Sequence, residues 1–463
     1  MLEVLGLVQS MKNNLAPINR IPPDVFFLIP EYLDGDDDDD DDDDQNLIAM
    51  THVCRSWREL LITRPSLWTR LYCENTDRTR VYFERSKSAP LELFLYGGGD
   101  RTYLEEAFLS VVPHIGRLKS LCIEGDIDLG NLSSLCSLRL VGVVTHPPRR
   151  NMSNLTTFTF SRVPEVKISI AQLLDFFEDA HHLRNIALYD SIPTSSDAPP
   201  GRVVSLPYLK NLTINAEAAH PVLLNHLHIP VGASLVLDFD LCNSESSLLD
   251  FLPKTLRNLE NVSSITSVNL SLGSPKKLVR LDGQSGRLSM SGYWNDWPGL
   301  PSPGFDHQIV HSLSCFDLSG TRMLAVSQYT PPMLVTVELS ATYRILSRMK
   351  DLRILALTQC NNIPFILALN PDKNSSKCVL CPKLEKVVLY FKGLSSFNIE
   401  ELMSMAKERA SAGMKLSSIM FVVLDELVPR GGVFGLREYV TRVNSRIGEE
   451  PPRWDDVPGD EDD

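Results

Sequence analysis

The sequence predicts an α/β protein made of two unlike parts: a small N-terminal bundle of three helices, then an irregular array of short repeats that supplies a parallel sheet. Three observations carry this. Apolar residues between Ile21 and Leu61 recur at helical spacing. From about residue 115 onward, six-residue runs of the form Leu-x-x-Φ-x-Φ, with Φ apolar, return along the chain. A length of 463 residues exceeds what one hydrophobic core usually serves, which calls for several domains or a repeat array.

Composition is that of a folded protein, with 43% hydrophobic and 22% charged residues. The net charge of -13 is concentrated: the Asp36–Asp44 run and the late residues Asp455, Asp456, Asp460, Glu461, Asp462 and Asp463 account for all of it. The remainder is balanced and shows no basic stripe, so a nucleic-acid partner is not expected. Nine cysteines, odd in number and scattered through apolar runs, read as free thiols in a reducing compartment. The apolar start, Met1 to Val8, lacks the cationic flank of a signal peptide, and no run reaches the ~18 apolar residues of a membrane span. The expectation is a cytoplasmic or nuclear protein with no membrane contact.

The first element is a helix from Ile21 to Leu33. Val25, Leu28, Ile29, Tyr32 and Leu33 share one face, and Pro22 and Pro23 suit a first turn that needs no amide donor. Pro30 should kink or restart it. The Asp run then reads as a solvated loop over residues 34 to 45, because consecutive like charges repel too strongly to pack. It lacks the glycine and final glutamate of a calcium-binding EF-hand loop. Helical spacing resumes at Met50, Val53, Cys54, Trp57, Leu60 and Leu61, and Arg64-Pro65-Ser66-Leu67-Trp68 ends it with a turn and an apolar anchor. A unit this small buries little by itself, so its large apolar faces suggest completion by a partner.

The order Ile21-Pro22, amphipathic helix, acidic loop, Thr51-His52-Val53-Cys54-Arg55-x-Trp57-Arg58 and Pro65-x-Leu67-Trp68 resembles the F-box, especially the expanded F-box families of mushroom-forming fungi. The resemblance covers roughly Ile18 to Leu71 and departs from the family at Pro30 and in the length of the acidic loop. Arg80 to Leu93 is similar to the helix and strand that follow the F-box in those proteins. The resemblance implies docking on a Skp-type adaptor, and through it on cullin and a RING subunit. It implies contact or support by Pro22, Val25, Ile29, Leu33, Leu47, Ile48, Val53, Cys54, Trp57 and Trp68. It also implies a substrate receptor of an SCF-type ubiquitin ligase, the alternative being an interaction scaffold that does not direct degradation.

The domain layout expected is a tail (1–17), the F-box (18–72), a connecting helix and strand (73–112), a repeat body (113–428) and a capping helix with an acidic tail (429–463). Within the body, Leu118 to Ile123, Leu135 to Leu140, Leu155 to Phe160, Leu183 to Leu188, Leu209 to Ile214, Leu313 to Leu318, Leu352 to Leu357 and Leu384 to Leu389 fit the pattern. The early units start about 17 to 28 residues apart, close to leucine-rich repeats. The expected fold is thus an irregular leucine-rich-repeat-like solenoid with a parallel sheet on its concave side. Between Leu209 and Leu313 the pattern is hard to follow, with Ile265 to Leu270 the best unit.

Helices are expected at Ile170 to Phe177, more weakly at Ser246 to Leu252, and at Ile399 to Ala410 with Gly413 as its cap. Ser418 to Leu424 should be the last strand, and Leu436 to Val443 a capping helix. Substrate-facing candidates on the strands are Lys119, Arg139, Thr159 and Lys386.

Catalytic constellations do not assemble in the sequence. Cys378-x-x-Cys381 has the spacing of half a zinc site and no second pair. Gly97-Gly98-Gly99-Asp100 lacks the Lys-Ser/Thr of a phosphate loop and reads as a turn between strand and helix. His181-His182 precedes a strand and reads as a loop. No cofactor or metal is expected, and the chain is expected not to be an enzyme.

Overall fold

The fold comes from a computed structural model of the chain. It describes residues 11–13, 15–33, 43–73, 76–96, 101–125, 132–142, 152–161, 169–190, 197–216, 222–241, 252–253, 256–272, 276–294, 313–328, 339–358, 363–373, 379–391, 399–423 and 435–447. There are two compact units, Met1–Val166 and Lys167–Asp463, so a boundary falls inside the stretch expected to be one repeat body. Each unit is mixed α/β with a mostly parallel sheet.

Among its described residues the first unit carries a 3-10 turn, Pro17–Arg20, and the helices α1 (Pro23–Phe26), α2 (Leu28–Leu33), α3 (Asp43–Val53) and α4 (Arg55–Thr63). Four short helices replace the expected bundle of three. Pro30 has no amide hydrogen to give the Phe26 carbonyl and its ring crowds that carbonyl, so the chain turns at Phe27 and restarts as α2. The second break is at Cys54, whose φ of -158° and ψ of 169° are extended. Apolar spacing runs unbroken through Cys54, which is why periodicity alone shows one helix there. The acidic loop also ends sooner than expected. Helix α3 already starts at Asp43, inside the Asp run.

After a 3-10 turn at Pro65–Trp68 come β1 (Arg70–Tyr72), α5 (Thr76–Ser86), β2 (Leu91–Tyr96), α6 (Arg101–Val111), β3 (Leu118–Glu124), β4 (Ser137–Val141) and β5 (Thr157–Ser161). The five strands pair parallel in chain order. Their leucines and phenylalanines alternate onto one buried face: Leu91, Leu93 and Leu95, then Leu138 and Leu140, then Phe158 and Phe160. Gly125, at the end of β3, has a φ of +124°, and a Cβ there would stand 2.4 Å from Leu104 Cδ1 of α6. The positive φ favours glycine, whereas the tip of the Leu104 side chain could move aside for a Cβ. Gly97 to Asp100 lies outside the described residues, between β2 and α6.

The second unit opens with α7 (Ile170–Asp179), whose first turn is closed by a reciprocal capping box between Ser169 and Gln172. Strands β6 (Asn185–Tyr189), β7 (Val204–Ser205), β8 (Asn211–Ala216), β9 (Leu227–His228) and β10 (Ser234–Leu241) follow. Strands β6, β8 and β10 pair parallel, while β7 and β9 form a separate two-stranded ribbon.

Then the pattern changes. Strands β11 (Ile265–Leu272), β12 (Lys276–Gly283) and β13 (Arg287–Trp294) form an antiparallel meander, against the expectation of a wholly parallel sheet. It sits in the sheet in reverse order, with β13 beside β10 and β11 beside β14 (Met323–Gln328). Its tight turn is built on glycine. The Gly283 amide donates to the Gly286 carbonyl at 2.8 Å, and a Cβ on Gly286 would meet the Val231 carbonyl oxygen at 2.2 Å. Parallel pairing resumes through β14, β15 (Ile354–Thr358), β16 (Lys386–Phe391), β17 (Ser418–Val423) and β18 (Arg442–Ile447). Helices α8 (Leu339–Arg348), α9 (Ile363–Leu369) and α10 (Ile399–Ser411) connect them.

Gly413 follows α10 with a φ of +79°, as its sequence position suggested. The capping helix expected over Leu436 to Val443 is instead a 3-10 turn at Gly435–Glu438 followed by β18, so β17 is not the last strand. Buried Leu436 and Val440 are four apart, which mimics a helix, but the chain extends after one turn. Of the weaker helix at Ser246 to Leu252, only Leu252 lies within the described residues.

One repeat was read in the wrong frame. Leu313 to Leu318 fits Leu-x-x-Φ-x-Φ by letter, yet it forms turns, and the strand is β14. A turn precedes several strands, closed by a backbone hydrogen bond from the lead leucine to an apolar residue three positions earlier: Leu135 to Leu132, Leu155 to Met152, Leu209 to Leu206, Leu352 to Met349. The full unit is therefore Φ-x-x-Leu-x-x-Φ-x-Φ. Thr321 donates its amide to the Leu318 carbonyl in the same way, and Leu324 and Val326 then point inward. Thr321 thus occupies a lead-leucine position, fully buried, with a hydroxyl that finds no partner among the described residues. Thr321→Val keeps the shape and removes that hydroxyl. It is expected to raise the unfolding free energy by about 1 kcal/mol, read as a higher urea midpoint at unchanged m-value.

Candidate functional site

The helical head has an interior built on Trp68. This side chain is fully buried, its Nε1–H donates to the Leu61 carbonyl at 2.9 Å, and Tyr82 of α5 meets it edge-on at 5.0 Å. The Arg85 guanidinium lies 4.2 Å above the ring, and burial there lowers its pKa. The Pro65–Trp68 turn thereby ties α4 to α5. Leu47, Met50, Phe26, Phe27 and Leu61 are buried as well. Of the residues the sequence nominated, Leu47 and Trp68 are therefore internal supports.

Trp57 is half-buried and joins elements. Phe26 of α1 packs edge-on against it at 4.8 Å, and its Nε1–H donates to Asn19 Oδ1. The Arg58 Nε donates to the Thr51 carbonyl at 2.9 Å, bracing the break at Cys54.

The outward side chains are of another kind. Val25, Leu28 and Val53 are 49, 49 and 58% exposed. Pro22 is exposed too, while Ile29, Ile48 and Cys54 are half-buried. Leu33 ends α2, and its side chain lies outside the described residues. The nominated set thus divides into interior posts and outward apolar groups. Leu28, on the predicted helix face, belongs with the outward groups although it was not nominated.

Elsewhere, the strand positions nominated for a target sit as alternation requires. Lys119 and Arg139 are exposed and Thr159 and Lys386 half-buried. Lys119 Nζ stands 3.9 Å from Glu92. Arg139 and Thr159 are register partners on β4 and β5. His181 and His182 lie on the turn before β6, their rings 4.3 Å apart. Cys378 is outside the described residues. The Cys381 thiol is buried, donates to the Leu346 carbonyl, and is pushed by burial up to about 12. Among the described residues, no group of three or more His, Cys, Asp or Glu is placed to hold a metal ion. No helix among them is long and apolar enough to cross a membrane.

Comparison with curated proteins gave no match. Comparison with known families gave one for the head, where residues 18–74 match the F-box-like family. That span contains α1 to α4, the Trp68 turn and β1. Both the buried post and the outward apolar groups lie within it, and residues 18–74 are accordingly an F-box-like domain.

Proposed function

We propose that this chain is the substrate-recognition subunit of an SCF-type E3 ubiquitin ligase. In this reading the F-box-like domain takes a Skp-type adaptor, and through it cullin and the RING subunit. The strand-rich remainder holds a target protein. The observation that carries the reading is the F-box-like match at residues 18–74, whose domain keeps Val25, Leu28 and Val53 at its surface. Burying such side chains against a partner yields about 25 cal/mol for each Å² removed from water, which their exposure in the free domain leaves unclaimed.

The recurring turn-and-strand unit supports a leucine-rich-repeat-like body, and the Val53-Cys54-Arg55-x-Trp57 run supports kinship with the fungal F-box families. Catalysis belongs to the partners in this reading, and the chain works in the cytoplasm or nucleus.

The test is direct binding of the purified full chain to a purified Skp-type adaptor by calorimetry. Val53→Glu is expected to weaken binding by about tenfold or more, since a charge would be buried at the contact. Its thermal midpoint should stay that of the parent chain because the residue is exposed. A chain that does not bind the adaptor, or a Val53→Glu chain that binds undiminished, would sink the reading. Proximity labelling with and without proteasome inhibition then separates a degradation receptor from a scaffold, since only degraded targets accumulate under inhibition.

A further inference from the structure

We infer that the segment leading into the F-box-like domain, with Met11 and Leu15 ahead of it and Ile18 at its first matched position, is a continuation of the adaptor-docking surface. The inference rests on the adaptor reading above and adds a second contact region to it. Residues 1–17 read as a plain tail in the sequence, and the family match begins only at residue 18. The structure ties this stretch down. The Trp57 indole N–H donates to Asn19 Oδ1, and Asn19 Nδ2 donates to the Asn13 carbonyl at 2.6 Å. The Ala16 amide donates to the Asn13 carbonyl and the Asn19 amide to the Ala16 carbonyl, both at 3.0 Å. A chain of hydrogen bonds therefore runs from the half-buried Trp57 out to Asn13.

What this anchoring holds in place is apolar. Met11, Leu15 and Ile18 are 62, 69 and 42% exposed. Ordering a segment costs conformational entropy, and here the ordered side chains gain little burial within their own chain. The continuity with α1 identifies the occupant. Trp57 holds Asn19 through its indole nitrogen and Phe26 through its ring, and Phe26 adjoins Val25, one of the outward groups. One indole thus anchors both the segment and the helix that presents Val25. The adaptor that covers Val25 is the partner placed to reach Leu15 and Ile18.

The experiment measures the affinity of the full chain carrying Met11→Ser and Leu15→Ser for a purified Skp-type adaptor, beside the parent chain and Val53→Glu. Both serines replace exposed side chains, so the thermal midpoint should not move. The expected result is about tenfold weaker binding, with slower amide exchange at residues 15–19 once the adaptor is added. If the double variant binds within twofold of the parent while Val53→Glu is impaired, the segment is no part of the interface and the adaptor reading survives. If the parent chain itself does not bind, both fall. If the parent self-associates and the double variant does not, a second copy of the chain is the occupant and the inference is overturned.

Discussion

Trp68→Ala should lower the unfolding free energy by about 3–5 kcal/mol, the range for deleting a large buried aromatic side chain. Three separate interactions disappear together: the indole hydrogen bond to the Leu61 carbonyl, the edge-on contact with Tyr82, and the ring beneath Arg85. The Leu61 carbonyl keeps only the Arg64 amide, at 3.3 Å, and Arg85 loses the aromatic face it was desolvated against. A domain stable by about 5–15 kcal/mol loses much of its margin by such a change. Adaptor binding should fail too, through loss of the fold. The contrast with Val53→Glu is the decisive reading: that variant should lose adaptor and keep its melting transition, whereas Trp68→Ala should lose both. A Trp68→Ala chain with an unshifted denaturation midpoint would show that the turn does not tie α4 to α5.

The difference between those two residues shows what the sequence could and could not tell. Val53 and Trp68 belong to the same motif and carry the same family expectation, yet one faces out and the other in. Periodicity cannot separate them, because the helical run is interrupted at Phe27 and again at Cys54. Pro30 announces the first break in the sequence. Nothing in residue type announces the second, since cysteine is neither a helix breaker nor a favoured cap.

Several parallel strands are legible in the sequence for a physical reason, and two features hide others. Leu118, Leu135, Leu155, Leu183 and Leu209 each lead a strand and are each buried, so a simple pattern of leucines finds them. At β14 the lead position holds Thr321, a residue no apolar pattern includes. The frame accordingly slid back to Leu313. Between β10 and β14 the meander reverses the chain, and a pattern written for parallel strands has no place for β12. Helix α8 was missed for a similar reason: its buried face includes Ala341 and Thr342 beside Ile345 and Leu346, and small or polar residues conceal the stripe. The N-terminal hydrogen-bond chain was invisible because it depends on Asn19, thirty-eight positions from Trp57.

Arg409→Ala should cost the second unit about 2–5 kcal/mol, through the cavity it leaves and the carbonyls that lose their donor. Arg409 projects from α10 and is fully buried, and among the described residues no carboxylate pairs with it. Its Nη1 donates to the Leu380 carbonyl at 2.7 Å and its Nη2 to the Cys381 carbonyl at 2.9 Å. Burial lowers its pKa, the expected sign for a cation taken out of water without an anion. The two carbonyls belong to the turn that leads into β16, where Cys381 holds a left-handed φ of 47°, unfavourable for a residue with a Cβ. The guanidinium thus fastens a strained turn to the helix that follows β16. Alanine would take the guanidinium from both carbonyls, leaving the Cys381 carbonyl with the Leu384 amide at 3.0 Å, and would open a cavity besides. Methionine fills the cavity and abolishes the cost of burying a charge, leaving only the carbonyls, so Arg409→Met should lose about 1–3 kcal/mol. Urea titrations of the parent and the two variants give the order directly. If Arg409→Met proves as stable as the parent chain, the hydrogen bonds to Leu380 and Cys381 merely offset the desolvation of the charge, and the turn is held by its apolar neighbours instead.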